Sequence, residues 1–518
     1  MSYEFMNSLT DYVLSGHALL HVSTHEKDRA YNDIKKVGEE IERPVFVWST
    51  AVGWSDSDGR EKNAHQNPDQ AVASILEIAG EGEGIFVLKE FGFYLQHHTF
   101  PECDRVIAHL DHIKEALCAQ GITLVFLGTD FEVPEALKHD ITEIDFSLPN
   151  NEQIENNISK ACEGVQRSDG TKVEISEEHH DQVVSACRGM TEQQIMDRAC
   201  LALRRHKDLN AEAVKTLLRE KANVIRASGL LNYIEPPMGG LSIIGGYDVL
   251  KKHVILDKPC FTSDAREFGI EFPKGILMVG VPGCGKTVLS LAIASELGLP
   301  LLSFDVGCVM DGIVGESEKN MRQVIKLLES VAPAVLQIDE VEKAFGGAGS
   351  LDGGTSRRVF RSFLTWLSER TCPIYVVATA NEIQSLPPEF SRKGRFDEIF
   401  GLDLPMQNER ELIFKIHIDK RGRDSNDFNV KALAKRTDGF TGADIEEAVK
   451  MGLKIAFSSG GELTDAHLDV AVSTIVPLSK AEPERIDQIR DWVKTRAKEA
   501  NPRSGNAKAN NRKVTVKN

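Results

Sequence analysis

Residues 280–287 read Gly280-Val281-Pro282-Gly283-Cys284-Gly285-Lys286-Thr287, preceded by a strand-like apolar run at 276–279 and followed by a helical stretch at 288–297. The glycines free the backbone to turn successive N–H groups inward around one anion. The helix that follows presents its positive N-terminal end to the same point. Strand, glycine loop and helix in this order make a phosphate loop. The chain is thereby held to an α/β unit, a parallel sheet covered by helices with its ligand at the carboxyl edge of the strands. In this reading Lys286 bridges the β- and γ-phosphates and Thr287 ligates Mg2+. Gly280, Val281, Pro282, Gly283, Cys284, Gly285 and Val288 line the nucleotide.

A second element must hold the metal and activate water. Leu336-Gln337-Ile338-Asp339-Glu340 is an apolar strand ending in two acids, so both carboxylates emerge at the edge where ligands bind. Asp339 suits the metal's surroundings and Glu340 the attacking water. Strands that end in acids are common; the spacing after the phosphate loop singles this one out.

At roughly 150 residues per domain, 518 residues make about three packed units. Apolar runs at 18–22, 44–48, 84–88 and 123–127 alternate with helical segments, and a helical stretch follows over about 151–233. The pattern repeats with runs at 275–279, 301–304, 334–338 and 373–378, then helices over about 407–500. The expected domains are therefore an α/β domain at 1–150, a helical lid-like segment and linker at 151–233, a large α/β domain at 234–406, a helical lid at 407–500 and a basic disordered tail at 501–518.

Hydrophobic residues at 41% and charged ones at 27% fit a globular chain. A net charge of −17 disfavours wrapping a polyanion. No apolar run approaches the roughly 18 residues of a membrane span, and neither a signal peptide nor an anchor is expected. Nine cysteines with no CxxC pair read as free thiols in a reducing compartment, hence a cytoplasmic protein.

Further motifs carry a family resemblance. Asn381 ends the strand-like Val376-Val377-Ala378-Thr379-Ala380 and resembles the sensor asparagine of AAA+ ATPases. Leu386-Pro387-Pro388-Glu389-Phe390-Ser391-Arg392-Lys393-Gly394-Arg395-Phe396-Asp397 is similar to that superfamily's second homology region. The resemblance implies that Arg392 and Arg395 reach the γ-phosphate of a neighbouring subunit. Gly439-Phe440-Thr441-Gly442-Ala443-Asp444 resembles the lid signature, with Gly442 and Ala443 at the nucleotide, and Ile244-Gly245-Gly246 the linker that cups the adenine. His417 resembles the lid histidine. Val314-Gly315-Glu316-Ser317-Glu318, Phe363-Leu364-Thr365-Trp366-Leu367 and Arg490-Asp491-Trp492 narrow the match to the AAA domain-containing family first noted as a hypothetical reading frame of algal plastids and cyanobacteria. Membership implies ATP and Mg2+ as cofactors and a homo-oligomer, a hexameric ring. It also implies the cytoplasm or, for a plastid-encoded chain, the stroma.

The first α/β unit reads as a silent copy of the second. Asp130 follows its strand much as Asn381 does, Ile141 to Pro149 parallels Phe396 to Pro405, and Gly189 to Ile195 parallels Gly439 to Ile445. Where the phosphate loop belongs stands Ser23-Thr24-His25-Glu26-Lys27-Asp28-Arg29-Ala30, without glycine. Lys89 takes the place of Asp339. An ammonium roughly 5 Å from Mg2+ would cost about 7 kcal/mol at an effective dielectric near 20, which excludes the same metal site. The alternative is an ordinary α/β domain.

Three features point elsewhere. Gly312-Ile313 stands where threading rings carry an aromatic, and Arg357, Arg358 and Arg361 line a pore or a solvated face. His97, His98, Cys103, His109 and His112 are packing or surface residues, with zinc as the alternative. Cys284 is a small loop residue, or a thiol activated by the helix N-terminus. The fold expected is an α/β P-loop NTPase (AAA+) module with a parallel sheet and helical lid, preceded by a degenerate ATPase-like α/β module. Its function is Mg2+-dependent ATP hydrolysis coupled to remodelling of a protein partner. The alternative is an ATP-dependent switch or assembly scaffold with slow hydrolysis; a nucleic-acid partner is not expected.

Overall fold

The computed structural model describes residues 3–63, 65–96, 103–129, 133–164, 179–305, 316–346, 355–384, 386, 389–392 and 394–501. Asp130, His97, His98, Gly312, Ile313, the glycine-rich 347–354 and residues 502–518 of the expected tail lie outside these, as do the side chains of Arg357 and Arg358. The chain divides into two compact units, residues 1–218 and 219–518.

The first unit is built on seven strands: β1 (Leu19–Ser23), β2 (Val45–Ser49), β3 (Gly53–Asp56), β4 (Glu61–Asn63), β5 (Gly84–Lys89), β6 (Ile122–Gly128) and β7 (Ile141–Asp145). They lie in the order β4-β3-β2-β5-β6-β1-β7. β6 is buried along its whole length because helices cover both faces, and its near-continuous apolar run is what such a strand needs. Phe86 and Leu88 pack with Trp48, Trp54 and Phe126 on one face, while Ile85 and Val87 pack with Leu9, Ile34 and Val37 on the other. The helices Asn151–Gly164, His180–Cys187 and Glu192–His206 share a separate core around Ile158, Val183, Ile195 and Leu203.

The second unit carries β8 (Asn232–Ile234), β9 (Gly275–Gly280), β10 (Leu301–Phe304), β11 (Ala334–Ile338), β12 (Ile374–Ala380), β13 (Glu398–Leu402) and β14 (Lys498–Glu499). Their order is β14-β13-β9-β12-β11-β10-β8. Central β9, β11 and β12 are buried at every residue, with one core on each face of the sheet. The lid helices Gln407–Asp419, Val430–Arg436, Gly442–Ser458 and Asp465–Thr474 enclose their own core around Phe414, Ile445 and Leu468.

Both sheets are mixed rather than wholly parallel. β3 and β4 run antiparallel beyond β2, and β8 runs antiparallel to β10. These strands are short and lie at or next to the sheet edges. Apart from β3, β4, β8 and β14, the two units share one parallel order, β7-β1-β6-β5-β2 in the first and β13-β9-β12-β11-β10 in the second. The second unit therefore repeats the connectivity of the first.

Gly275 shows how tightly the central ladder closes. Its φ is 106°, its N–H donates to Asp397 Oδ2 at 2.8 Å, and a Cβ there would collide with the Val376 backbone. Gly275→Ala is expected to destabilise the protein by about 2–4 kcal/mol. A denaturant midpoint equal to wild type would contradict this account of the β9–β12 pairing.

Candidate active site

Gly280 ends β9, and the loop enters the helix Lys286–Leu297 through Gly283 and Gly285, both at φ 80°. Those left-handed positions suit glycine. Lys286 is buried, and its Nζ donates to the loop carbonyls of Gly280 at 2.8 Å and Val281 at 3.0 Å. Burial pulls its pKa down. Val281 is buried and Pro282 half-buried, whereas the Val288 side chain is exposed. Cys284 is buried too, its thiol donating to the Asp403 carbonyl at 3.5 Å. Burial pushes that thiol up to about 12, so the helix N-terminus does not activate it. The reactive-thiol reading is overturned in favour of the packing one.

The acids meet the loop through the ladder. Thr287 Oγ1 donates to Asp339 Oδ2 at 3.1 Å. Glu340 has φ 51°, and its Oε1 accepts from Asn381 Nδ2 at 2.8 Å. Its Oε2 lies 2.5 Å from Lys343 Nζ. Lys343, followed by Asn381 and Lys286, holds the Glu340 carboxyl below its ordinary range, against a smaller effect of burial. Two residues passed over in the sequence complete the cluster. The Thr379 hydroxyl donates to Asp339 Oδ1 and accepts from the Glu340 N–H at 3.0 Å. Buried Glu342 accepts from the N–H groups of Asn381 at 2.8 Å and Glu382 at 3.2 Å, fixing the end of β12.

Gly245 and Gly246 of the linker pass against Glu409 on the first lid helix, and a Cβ on Gly246 would overlap its carboxylate. Ile244 is buried beside them. Asn501, the last described residue, donates to Glu409 Oε1. The lid helix Gly442–Ser458 begins at Thr441 with a capping box to Asp444, and the Ala443 N–H donates to the Gly283 carbonyl at 3.1 Å. His417 is half-buried, and that burial lowers its pKa. The two arginines differ. Arg395 donates to the Glu389 carbonyl and to Ser368 Oγ at 3.4 Å, whereas Arg392 is exposed.

A triphosphate nucleotide fits these groups. Lys286 is a buried cation facing only carbonyls, and Asn381 Oδ1 and His417 Nδ1 are buried without a partner. Mg2+ fits as well, since Thr287 and Asp339 offer oxygen donors and this ion keeps waters and substrate phosphates as its other ligands. Among the described residues no cluster of three His, Cys, Asp or Glu side chains forms a dedicated metal cage. Of the His/Cys patch, the described Cys103, His109 and His112 do not form one; His109 Nδ1 lies 2.7 Å from Asp69 Oδ1.

In the first unit the equivalent place is filled by its own side chains. Ladder register puts Lys89 at the position of Asp339 and Glu90, with φ 56°, at that of Glu340. Thr129, not Asp130, takes the position of Asn381. Only Thr24, His25 and Glu26 separate β1 from the helix Lys27–Glu40, too few for a phosphate loop. Lys27 pairs with Glu90 at 2.5 Å and Lys89 with Asp28 at 3.2 Å. Buried Glu26 pairs with Arg29 at 2.5 Å and accepts the Glu192 N–H at 2.6 Å, so a carboxylate sits at the start of the helix Glu192–His206. That helix carries a capping box at Thr191, as the lid helix does at Thr441.

Thr379→Val keeps the shape of β12 and removes the hydroxyl between both acids. Hydrolysis at saturating ATP is expected to fall about ten- to a hundredfold, with ADP affinity retained. Unchanged turnover would show that the hydroxyl does not orient the acids.

Comparison with known proteins identifies the domains. Residues 276–404 match the family model for the ATPase family associated with various cellular activities (AAA), and residues 427–469 the AAA+ lid domain. Residues 5–146 match the N-terminal domain, and residues 152–228 the second domain, of SpoVK-like AAA ATPases. The chain is 34% identical over 495 residues to the "uncharacterized AAA domain-containing protein ycf46" of Guillardia theta, covering 94% of this chain and 95% of the relative. The protein of the same name from Pyropia yezoensis is 33% identical over 492 residues, 94% and 97% of the two chains. The proteasome-activating nucleotidase of Saccharolobus solfataricus is 31% identical over 240 residues, 44% of this chain and 60% of the relative. Among the described residues no helix is long and apolar enough to cross a membrane. An ATP-binding, ATP-hydrolysing chain with a lid and two SpoVK-like leading domains, it belongs to the AAA ATPase family, in the group related to ycf46.

Proposed function

We propose that the protein is an oligomeric, Mg2+-dependent ATPase that couples hydrolysis to remodelling of a protein partner. One observation supports this most: Lys286, Thr287, Asp339, Glu340 and Asn381 converge at one edge of the sheet, with Thr287 on Asp339 and Asn381 on Glu340. Lys286 exchanges the Gly280 and Val281 carbonyls for substrate phosphates. Thr287 and Asp339 hold the metal, whose chemistry is to neutralise charge on the phosphate oxygens. Glu340 takes the proton of the attacking water while Asn381 fixes its carboxylate. Ile244, Gly245, Gly246 and His417 enclose the base, and Gly442 and Ala443 close the lid onto the loop.

Arg395 is engaged within its own chain, so exposed Arg392 is the better donor of a guanidinium to a neighbouring copy. A cation supplied in trans is worth about 10³–10⁵ in rate, which makes turnover depend on assembly into a ring. The setting we propose is the cytoplasm, or the stroma for a plastid-encoded chain. A second reading, a nucleotide switch or assembly scaffold with slow hydrolysis, draws support from Glu340. Both of its oxygens are taken, by Asn381 and by Lys343.

Lys286→Ala is expected to abolish nucleotide binding by the whole chain, since the described residues of the first unit include no second phosphate loop. Residual ATP binding would contradict both statements. Arg392→Ala is expected to keep binding, lose hydrolysis by about 10³-fold, and regain it when mixed with Glu340→Gln subunits. Failure of the mixture to hydrolyse ATP would refute action in trans. Glu340→Gln should retain ATP and a bound protein partner in a pull-down. A partner that binds without raising the wild-type hydrolysis rate would favour the switch.

A further inference from the structure

Tyr247 follows the linker glycines and begins the helix Asp248–Asp257 with φ 62° and ψ 39°. That left-handed conformation is uncommon for any residue other than glycine and rarer still for an aromatic one. It turns the ring back into the core that holds Leu250, Ile276 and Met278, where it is buried. From there its hydroxyl donates to the carbonyl of Cys284 at 2.8 Å. Burial drives that hydroxyl well above the ordinary tyrosine range, so it stays protonated and remains a donor.

The acceptor is the informative partner. Cys284 stands between Gly283 and Gly285, both at φ 80°, and a Cβ at Gly285 would meet nothing within 4 Å. With glycine at 285 no side chain there helps to fix the peptide plane between residues 284 and 285. In a trans peptide the C=O and the following N–H point in opposite directions. A hydroxyl that holds the Cys284 oxygen in the core turns the Gly285 N–H the other way, toward the phosphate side of the loop.

We propose that Tyr247 is a positioning residue for the phosphate loop, orienting the 284–285 peptide so that its N–H is presented to the nucleotide's phosphates. The inference rests on reading residues 280–287 as that loop. Because Tyr247 adjoins Gly246, the same side chain ties the segment that cups the base to the segment that holds the phosphates. Nothing in the local sequence signals this link, since 37 positions separate donor and acceptor.

Tyr247→Phe in the full chain removes the hydroxyl and keeps the ring. Calorimetric titration with ADP and with adenosine is expected to show ADP bound about fivefold more weakly and adenosine bound as in wild type. Equal ADP affinity in variant and wild type would overturn the proposal. So would equal losses for ADP and adenosine, which mark a damaged linker rather than a misaimed peptide. Amide exchange in the nucleotide-free protein gives a second readout. Acceleration confined to residues 281–287 supports the proposal, whereas unchanged exchange or acceleration along the whole chain overturns it. A wild-type protein that binds no ADP would sink the phosphate-loop reading itself.

Discussion

The site depends on the register of the parallel ladder joining β9, β12 and β11. Val279 pairs with Ala380, and Ala378 with Ile338, so the residues that follow each strand emerge at one edge. One position beyond those pairs lie Gly280, Asn381 and Asp339. A slip by one residue would turn every side chain to the opposite face and separate Thr287 from Asp339. Register is strongly specified because all three strands are buried on both faces. The precision of the catalytic edge is thus inherited from apolar packing, and the polar contacts at its end refine it.

The first unit keeps that ladder and discards its chemistry. Glu90 preserves the left-handed backbone of Glu340, a strained feature that packing alone does not require. Around it the charges have been rewired into pairs: Lys27 with Glu90, Lys89 with Asp28, and Glu26 with Arg29. The Glu26 carboxylate satisfies the first turn of the helix Glu192–His206, where the comparable lid helix of the second unit meets the phosphate loop. A bound phosphate would have to displace an anion already neutralised by a buried guanidinium. The paired charges at this place therefore leave no counterpart of the Lys286–Asp339–Glu340 arrangement among the described residues of the first unit.

Legibility in the sequence followed burial and locality. Of the eight strands that the apolar runs mark, all but β2 are buried at every or nearly every residue, so their continuous apolar character reveals them. β3, β4, β8 and β14 are two to four residues long and lie at or next to the sheet edges, where no periodicity accumulates. The phosphate loop and the acids at 339 and 340 were legible because their spacing is short and their residue types are constrained. Thr379, Glu342, Glu409 and Tyr247 were not, since each acts through a partner distant in sequence. Cys284 shows how burial decides between two local readings: its place at a helix start allows activation, and burial favours the small packing residue. The register also corrects the silent copy, where Thr129 rather than Asp130 stands at the sensor position.

What remains is how the lid is coupled to the loop. Gly283 and Gly442 permit backbone contact where any side chain would hold the two apart: a Cβ at residue 283 would press on Thr441 and Ala443, and one at residue 442 on the Gly283 carbonyl. The Ala443 N–H then reaches the Gly283 carbonyl, one peptide before the plane that Tyr247 orients. On the other side of the lid Glu409 receives Asn501 and lies against Gly246. Linker, loop and lid are therefore joined through backbone groups at a few glycines, next to the buried β9–β12 ladder. The contact from the Ala443 N–H to the Gly283 carbonyl thus links the lid directly to the phosphate loop, along a path that does not pass through the sheet.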